Sequence, residues 1–194
     1  KRLDAVAGIF GQLKKRGYSV FVAVANQWAT GKQRKDDVEK YYKIAESAGL
    51  IRGSEFEFTS EWDATYATGI PKKMIRELQL CSNLFIFPTR EESFGLVGPE
   101  AALSGVFMCL NRSLNMMYEV FNHNGIYMDF GSHHNNFEPP DVQAYYNDLA
   151  TVIIGRFGQN ESIMTRSFCR QKYNYDSLYN DVYEPLLAES RTWT

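Results

Sequence analysis

Residues 84–110 read LFIFPTREESFGLVGPEAALSGVFMCL. They place two carboxylates, Glu92 and Glu100, on either side of Phe94, Gly95 and Leu96. A wholly apolar strand ends at Pro88, a polar loop follows, and a helix starts near Gly98 and Pro99. In open α/β sheets, ligands bind beyond the carboxyl ends of the strands, where such loops sit. A helix start adds unpaired backbone N–H groups and a positive dipole end, both suited to a diphosphate. Gly95 lets the backbone approach a ligand closely. Glu100, in the first turn, could hold the two hydroxyls of a ribose, as an acidic residue does in dinucleotide sites. Glu92, in the loop, could hold the hydroxyls of a sugar. The spacing alone carries little. With 14 glutamates in 194 residues, roughly one pair eight apart is expected by chance, and one occurs. Taken singly, Glu92 is an ordinary loop carboxylate, and Glu100 is a first-turn residue favoured by the helix dipole. The distinguishing feature is the composite of strand, Pro-Thr, Glu-Ser-Phe-Gly-Leu, Pro-Glu-Ala, Ser-Gly and strand.

The rest of the chain supplies elements that can position this segment. Leu3, Val6, Phe10 and Leu13 repeat at helical spacing, with Gly17 as a stop. Residues 19–25 form a nearly continuous apolar run. Val38, Tyr41, Tyr42, Ala45 and Ala48 make a second amphipathic helix, ended by Gly49. Residues 55–59 (EFEFT) alternate like a strand. Pro71 opens a helix with Met74, Ile75 and Leu78 on its inner face. Residues 106–110 and 125–128 read as further strands. From Asp141 onward the pattern is helical, with a second helix after Asn160 and a third capped by Asp176. Strands alternate with helices, and several strands are apolar on both faces, as in a parallel sheet covered on both sides. The fold class is therefore α/β, a Rossmann-like parallel sheet with helices on both faces. A single domain over residues 1–194 is expected, its last helices packing on the sheet or reaching toward another domain.

Composition narrows the classes of partner. Apolar residues make up 44% of the chain and the net charge is -2, so bulk charge gives no reason to expect nucleic acid or an anionic membrane. No stretch approaches the roughly 20 apolar residues that span a bilayer. The three cysteines, Cys81, Cys109 and Cys169, are isolated in apolar contexts, which predicts reduced, buried thiols and a cytoplasmic setting. No Cys/His spacing suggests a metal, and His133 and His134 fall in a polar stretch that reads as a solvated loop. The sequence opens at Lys1 rather than at a methionine, so a fragment is expected. A targeting segment, or a part that sits at a membrane, could precede it.

The composite resembles the E-x7-E signature of retaining GT-B glycosyltransferases, the family that includes glycogen synthases, sucrose synthases and bacterial mannosyltransferases. Pro88-Thr89, Glu92, Phe94-Gly95-Leu96, Glu100-Ala101 and Ser104-Gly105 match its pattern in order. Lys1 is similar to the family's phosphate-binding lysine, residues 70–83 to its preceding helix, and residues 173–187 to its closing aromatic segment. The resemblance implies the C-terminal, donor-binding domain of such an enzyme. Glu92 would contact the donor sugar as the catalytic-site carboxylate. The backbone from Ser93 through Phe94, Gly95, Leu96 and Val97 would hold the diphosphate with Lys1, and Glu100 would hold the ribose. The substrate would be a UDP-, GDP- or ADP-sugar, with no cofactor or metal, and transfer would retain anomeric configuration. A sugar, lipid or protein acceptor would bind an N-terminal domain ahead of Lys1, without which this chain would bind donor but not transfer sugar.

Departures from the family pattern leave other readings open. A phosphate-binding arginine expected before the lysine lies outside the sequence. Asn26-Gln27-Trp28 stands where the family often has Gly-x-Gly. Residues 60–69 (SEWDATYATG) lengthen a loop near the base pocket. There Trp62 or Tyr66 either stacks on a base or, in the reading we favour, closes its own loop. Arg112-Ser113-Leu114-Asn115, followed by Glu119, replaces a Gly-Gly loop on the acceptor side. A non-catalytic nucleotide-sugar-binding module of the same fold is the alternative function. An unrelated receiver or dinucleotide-binding domain would need an acidic cluster at strand ends or a GxGxxG after the first strand, and neither is present.

Overall fold

A computed structural model describes residues 2–26 and 35–190. In chain order its elements are α1 (Leu3–Lys15), β1 (Val22–Val24), α2 (Lys35–Ser47) and β2 (Phe56–Phe58). Two short 3-10 turns at Thr59–Glu61 and Ala64–Thr68 lead to α3 (Lys72–Cys81), β3 (Leu84–Phe87), α4 (Val97–Leu103), β4 (Phe107–Asn111), α5 (Asn115–Phe121) and β5 (Ile126–Met128). The helices α6 (Val142–Arg156), α7 (Glu161–Lys172) and α8 (Tyr175–Leu178) follow, then a π-helical turn at Tyr179–Tyr183 and α9 (Glu184–Ser190). The fold is α/β and Rossmann-like, with every strand pairing parallel.

The strands form two small sheets, β1–β2 and β3–β4–β5, where the sequence suggested one. Among the described residues no strand lies between β1 and β3. β4 is flanked on both edges, and all five of its residues are buried. Phe107 and Cys109 face α1 and α6, while Met108 and Leu110 face α4, α5 and α7. This two-sided burial explains why its sequence is continuously apolar. At about 1.5–3 kcal/mol for each large apolar side chain removed from water, these two faces hold strands too short to persist alone.

Helix α1 joins the two sheets. Ala5, Ile9 and Leu13 enter the core shared with α6, β4 and β5, while Val6 and Ala7 enter the core of α2, β1 and β2. Glycine in a helix interior costs about 1 kcal/mol against alanine, yet α1 carries Gly8 and Gly11. A Cβ on Gly8 would lie 2.1 Å from the Tyr146 ring, and one on Gly11 would lie 2.3 Å from the Ala48 carbonyl oxygen. The glycines are there because α6 and the end of α2 press against α1 at those points.

Several local expectations are corrected. The apolar run at residues 19–25 contributes only Val22–Val24 to a sheet, and Phe21 is exposed. Helix α5 was not foreseen. The cap of α8 is Asn174, whose side chain accepts from the Ser177 N–H, rather than Asp176. Cys109 and Cys169 are buried as expected, but Cys81 is exposed at the end of α3, outside the core its apolar neighbours suggested. Trp62 is half-buried and donates through Nε1 to Glu57 on β2 at 3.0 Å, so it closes its own loop. No helix among the described residues is long and apolar enough to cross a membrane.

Candidate functional site

The loops that leave β3, β4 and β5 at their carboxyl ends meet at one rim, and Asn111 ties them together. It is the last residue of β4 and is fully buried. Its Nδ2 donates to the carbonyls of Thr89 (2.8 Å) and Gly131 (2.7 Å), and its Oδ1 accepts from the N–H groups of Ser113 (3.0 Å) and Phe130 (3.1 Å). One amide thus satisfies all four of its sites with backbone groups from three loops. Each of those groups, left buried and unpaired, would cost about 1–3 kcal/mol. Sequence reasoning missed Asn111 because, Ser113 aside, its partners lie 19, 20 and 22 residues away along the chain and leave no local mark.

Further bonds close the rim. Arg90 donates through one terminal nitrogen to the Ser132 carbonyl (2.7 Å) and the Asn136 side chain (3.0 Å), and its Nε is buried without an acceptor. Glu91 pairs with His133 at 3.0 Å, both side chains mostly exposed, and His134 lies exposed beside them. The Tyr145 hydroxyl donates to the Asp129 carbonyl at 2.8 Å, anchoring the β5 loop to α6. Burial pushes the Tyr145 hydroxyl's pKa upward, which keeps it a donor across the physiological range.

Within this frame the sequence-predicted residues fall as follows. Glu92 is half-buried, and its Oε1 accepts from the Ser93 N–H at 3.2 Å. Gly95 has φ +69°, a left-handed conformation that disfavours any residue with a Cβ. A Cβ there would also stand 2.9 Å from Glu92 Cγ and 2.9 Å from the Phe87 ring. The glycine therefore lets Glu92 fold against the loop. Phe94 is partly exposed and meets the Tyr173 ring edge-on at 5.7 Å. The Tyr173 hydroxyl bonds to the Val120 carbonyl at 2.8 Å, which fastens the loop to the end of α7 and to α5. Ser93 and Leu96 are exposed, and Val97 is half-buried as the first residue of α4. The Gly98 N–H returns to the Gly95 carbonyl at 2.8 Å, and the Glu100 N–H to the Leu96 carbonyl at 3.1 Å. Glu100 itself is exposed in the first turn. A Cβ on Gly98 would lie 2.7 Å from the Phe121 ring, so α4 and α5 are in close contact directly behind the loop.

Lys1, Gln27 and Trp28 lie outside the described residues. Arg2, next to Lys1, is at the same rim. Its N–H donates to the Pro88 carbonyl at 3.2 Å, and its guanidinium pairs with Asp4 at 2.8 Å and reaches the Phe137 carbonyl at 3.4 Å. Hydrogen bonding to Asp4 raises its pKa further. Glu119 is exposed on α5, and its carbonyl accepts from Lys172. A concavity of about 230 Å³, lined by Asn83, Gly105, Phe107 and Phe157, lies at the amino ends of β3 and β4, opposite the rim. No known protein family matches the chain, and no curated protein does.

Proposed function

We propose that this chain is the donor-binding domain of a retaining glycosyltransferase of the GT-B type, and that the Glu92–Glu100 loop holds a nucleoside-diphosphate sugar. One observation carries the reading. At a single strand end, a half-buried Glu92 is packed on a left-handed Gly95, and Glu100 projects one turn into the helix that follows. This is an arrangement of two carboxylates around a close-approach backbone turn, and it supports the roles that the motif resemblance implies. Glu92 contacts the sugar. The backbone of Ser93, Phe94, Gly95, Leu96 and Val97 faces the diphosphate together with Lys1. Glu100 holds the ribose hydroxyls.

Glycosyl transfer passes through an oxocarbenium-like centre as the diphosphate leaves. Charge grows on that leaving group, and fixed N–H dipoles and a lysine stabilise it without reorganising. Retention of configuration, independence of metals and an acceptor domain preceding this one belong to the same proposal. On this reading the chain alone binds donor and does not transfer sugar.

Calorimetric titration of the chain with UDP, GDP and ADP tests the site. Binding of one of them, weakened about tenfold or more by Glu100→Ala, is the expected result. No binding of any of the three at millimolar concentration removes the proposal. For catalysis, the enzyme containing this domain should release nucleoside diphosphate from a sugar donor, and Glu92→Ala should abolish that release. Turnover undiminished by Glu92→Ala would refute the role given to Glu92, and turnover absent despite donor binding would leave a non-catalytic binding module in its place.

A further inference from the structure

We infer that Arg90 is a positioning residue for Glu92, and that the β5 exit loop, residues 131–137, is the base from which it works. The inference rests on the donor-site reading and adds to it a residue that acts through Glu92.

Residues 90–92 read Arg-Glu-Glu, so a guanidinium stands next to two carboxylates in the loop. One pairing open to Arg90 is with Glu92, two residues on. Arg2 and Asp4 have the same spacing, and they do pair, at 2.8 Å. Arg90 turns elsewhere. One terminal nitrogen donates to the Ser132 carbonyl at 2.7 Å and to Asn136 Oδ1 at 3.0 Å, and among the described residues no carboxylate pairs with it. Glu91 turns the same way, to His133 at 3.0 Å. That pair is mostly exposed and contributes little, so the half-buried Arg90 carries the hold. The two residues ahead of Glu92 are thus both engaged by the β5 exit loop. Among the described residues, the Glu92 carboxylate meets no cation and accepts from the Ser93 N–H. A carboxylate neutralised by its own neighbour would offer little to a sugar hydroxyl or to positive charge developing on the sugar. Held apart from Arg90, Glu92 keeps that capacity.

The base is closed on itself. The Ser132 N–H donates to the Asn135 carbonyl at 2.7 Å, the Asn135 N–H to the Ser132 hydroxyl at 3.0 Å, and the Phe137 N–H to the Asn135 carbonyl at 3.0 Å. The Asn136 amide is oriented by its Nδ2, which donates to Glu138 at 3.0 Å, and its Oδ1 accepts from Arg90. The Phe137 ring packs edge-on against Tyr145 of α6 at 5.2 Å. On the other side of Arg90, Thr89 is buried and its carbonyl is held by Asn111. Arg90 is therefore the link between two fixed points and the residue that must be placed. The arrangement has a cost, because Arg90 Nε is buried without an acceptor and such a donor lowers stability. Groups that break a local rule in this way gather where geometry serves function. The polar stretch that reads as a solvated loop is thus a brace. Its bonds to Arg90 span 42 and 46 residues of chain and leave no local signature.

Kinetics of the enzyme containing this domain, with calorimetry on the chain alone, test this. Arg90→Ala should lower kcat for release of nucleoside diphosphate about tenfold or more, because Glu92 is no longer held in place. Affinity for whichever of UDP, GDP and ADP the chain binds should stay within about twofold, since the diphosphate is assigned to the backbone after Glu92. Guanidinium ion, well below denaturing concentrations, should restore part of the kcat of Arg90→Ala and none of that of Glu92→Ala. Arg90→Lys, which keeps the charge but loses the planar fork, should fall between Arg90→Ala and the unsubstituted enzyme. Asn136→Ala, at an exposed residue, should lower kcat about threefold, and it carries the test if Arg90→Ala does not fold. Unchanged kcat in the folded variants, a loss matched by an equal loss of nucleotide affinity, or a loss that guanidinium leaves untouched would overturn the inference. Failure of the donor-site reading looks different. In that case the unsubstituted chain binds no nucleotide, or Glu92→Ala keeps full turnover, and the role of Arg90 falls with it.

Discussion

β2 turns Phe56 and Phe58 toward α1 and α2 and leaves Glu57 on the other face, where Trp62 covers it. β4 turns apolar side chains to both faces, and helices cover both. The two sheets share α1 but differ in what lies behind them, and the difference continues at their carboxyl ends. Behind β4 the exit loops are fixed by Asn111, fully buried, through four bonds of 2.7–3.1 Å to backbone. Behind β1 an asparagine again bridges to the next strand's exit. Asn26 is only half-buried, however, and its bonds to Thr59 and Ser60 run 3.0–3.3 Å and use mostly hydroxyls. Two asparagines with the same task thus sit in different environments. A fully buried clamp fixes loop positions because its loss strands backbone groups away from water, whereas a half-buried one that mostly engages hydroxyls leaves water a route to part of what it held. The candidate site is built on the side with the buried clamp.

Asn111→Ala should have the largest effect, a loss of about 3–4 kcal/mol in urea unfolding, since three buried backbone bonds and the part-buried one to Ser113 are lost. Asn111→Asp should also be strongly destabilising, because it keeps the acceptor and replaces the donor to Thr89 and Gly131 with an oxygen. Gly95→Ala should cost about 1–2 kcal/mol from the left-handed backbone alone, with more from the crowding of Glu92 and Phe87, and the same melt would read it. Asn26→Ala should cost about 1 kcal/mol or less. A loss equal to that of Asn111→Ala would break the comparison between the two rims. The smallest effect concerns Lys14 and Glu55 on the β1–β2 side, paired at 2.6 Å. Hydrogen bonding from Lys14, with help from the Ile51 N–H, holds the Glu55 carboxyl below its ordinary range. A depressed carboxylate contributes stability above its unfolded pKa of about 4.3 and loses it as pH falls through the folded value. Thermal melts from pH 6 to pH 3 should show a slightly shallower decline for Glu55→Gln than for the unsubstituted chain.

The alternation of residues 55–59 already distinguished the one-sided β2 from the two-sided β3 and β4, because the period of apolar residues reports how many faces are covered. Pro71, Gly49 and Gly105 marked helix ends for local backbone reasons, so those boundaries were legible. The division into two sheets was not, because the composition of β1 and β3 marks each as a strand but does not say which strand it pairs with. Helix α5, seven residues between short turns, was too brief to show a period. Of the site, the loop residues Glu92, Phe94, Gly95 and Glu100 could be named from type and order. The clamp that sets them in place could not, since Asn111 makes its bonds to Thr89, Ser113, Phe130 and Gly131 only once three strands are aligned.

Gly8 and Gly11 give α1 a consequence for how the molecule comes apart. With Tyr146 of α6 seated on one glycine and the end of α2 on the other, α1 cannot leave one core without opening the other. Sub-global opening of either sheet should therefore expose α1 and release the other, so that amide exchange in β2 and β5 is expected to report one cooperative unfolding event.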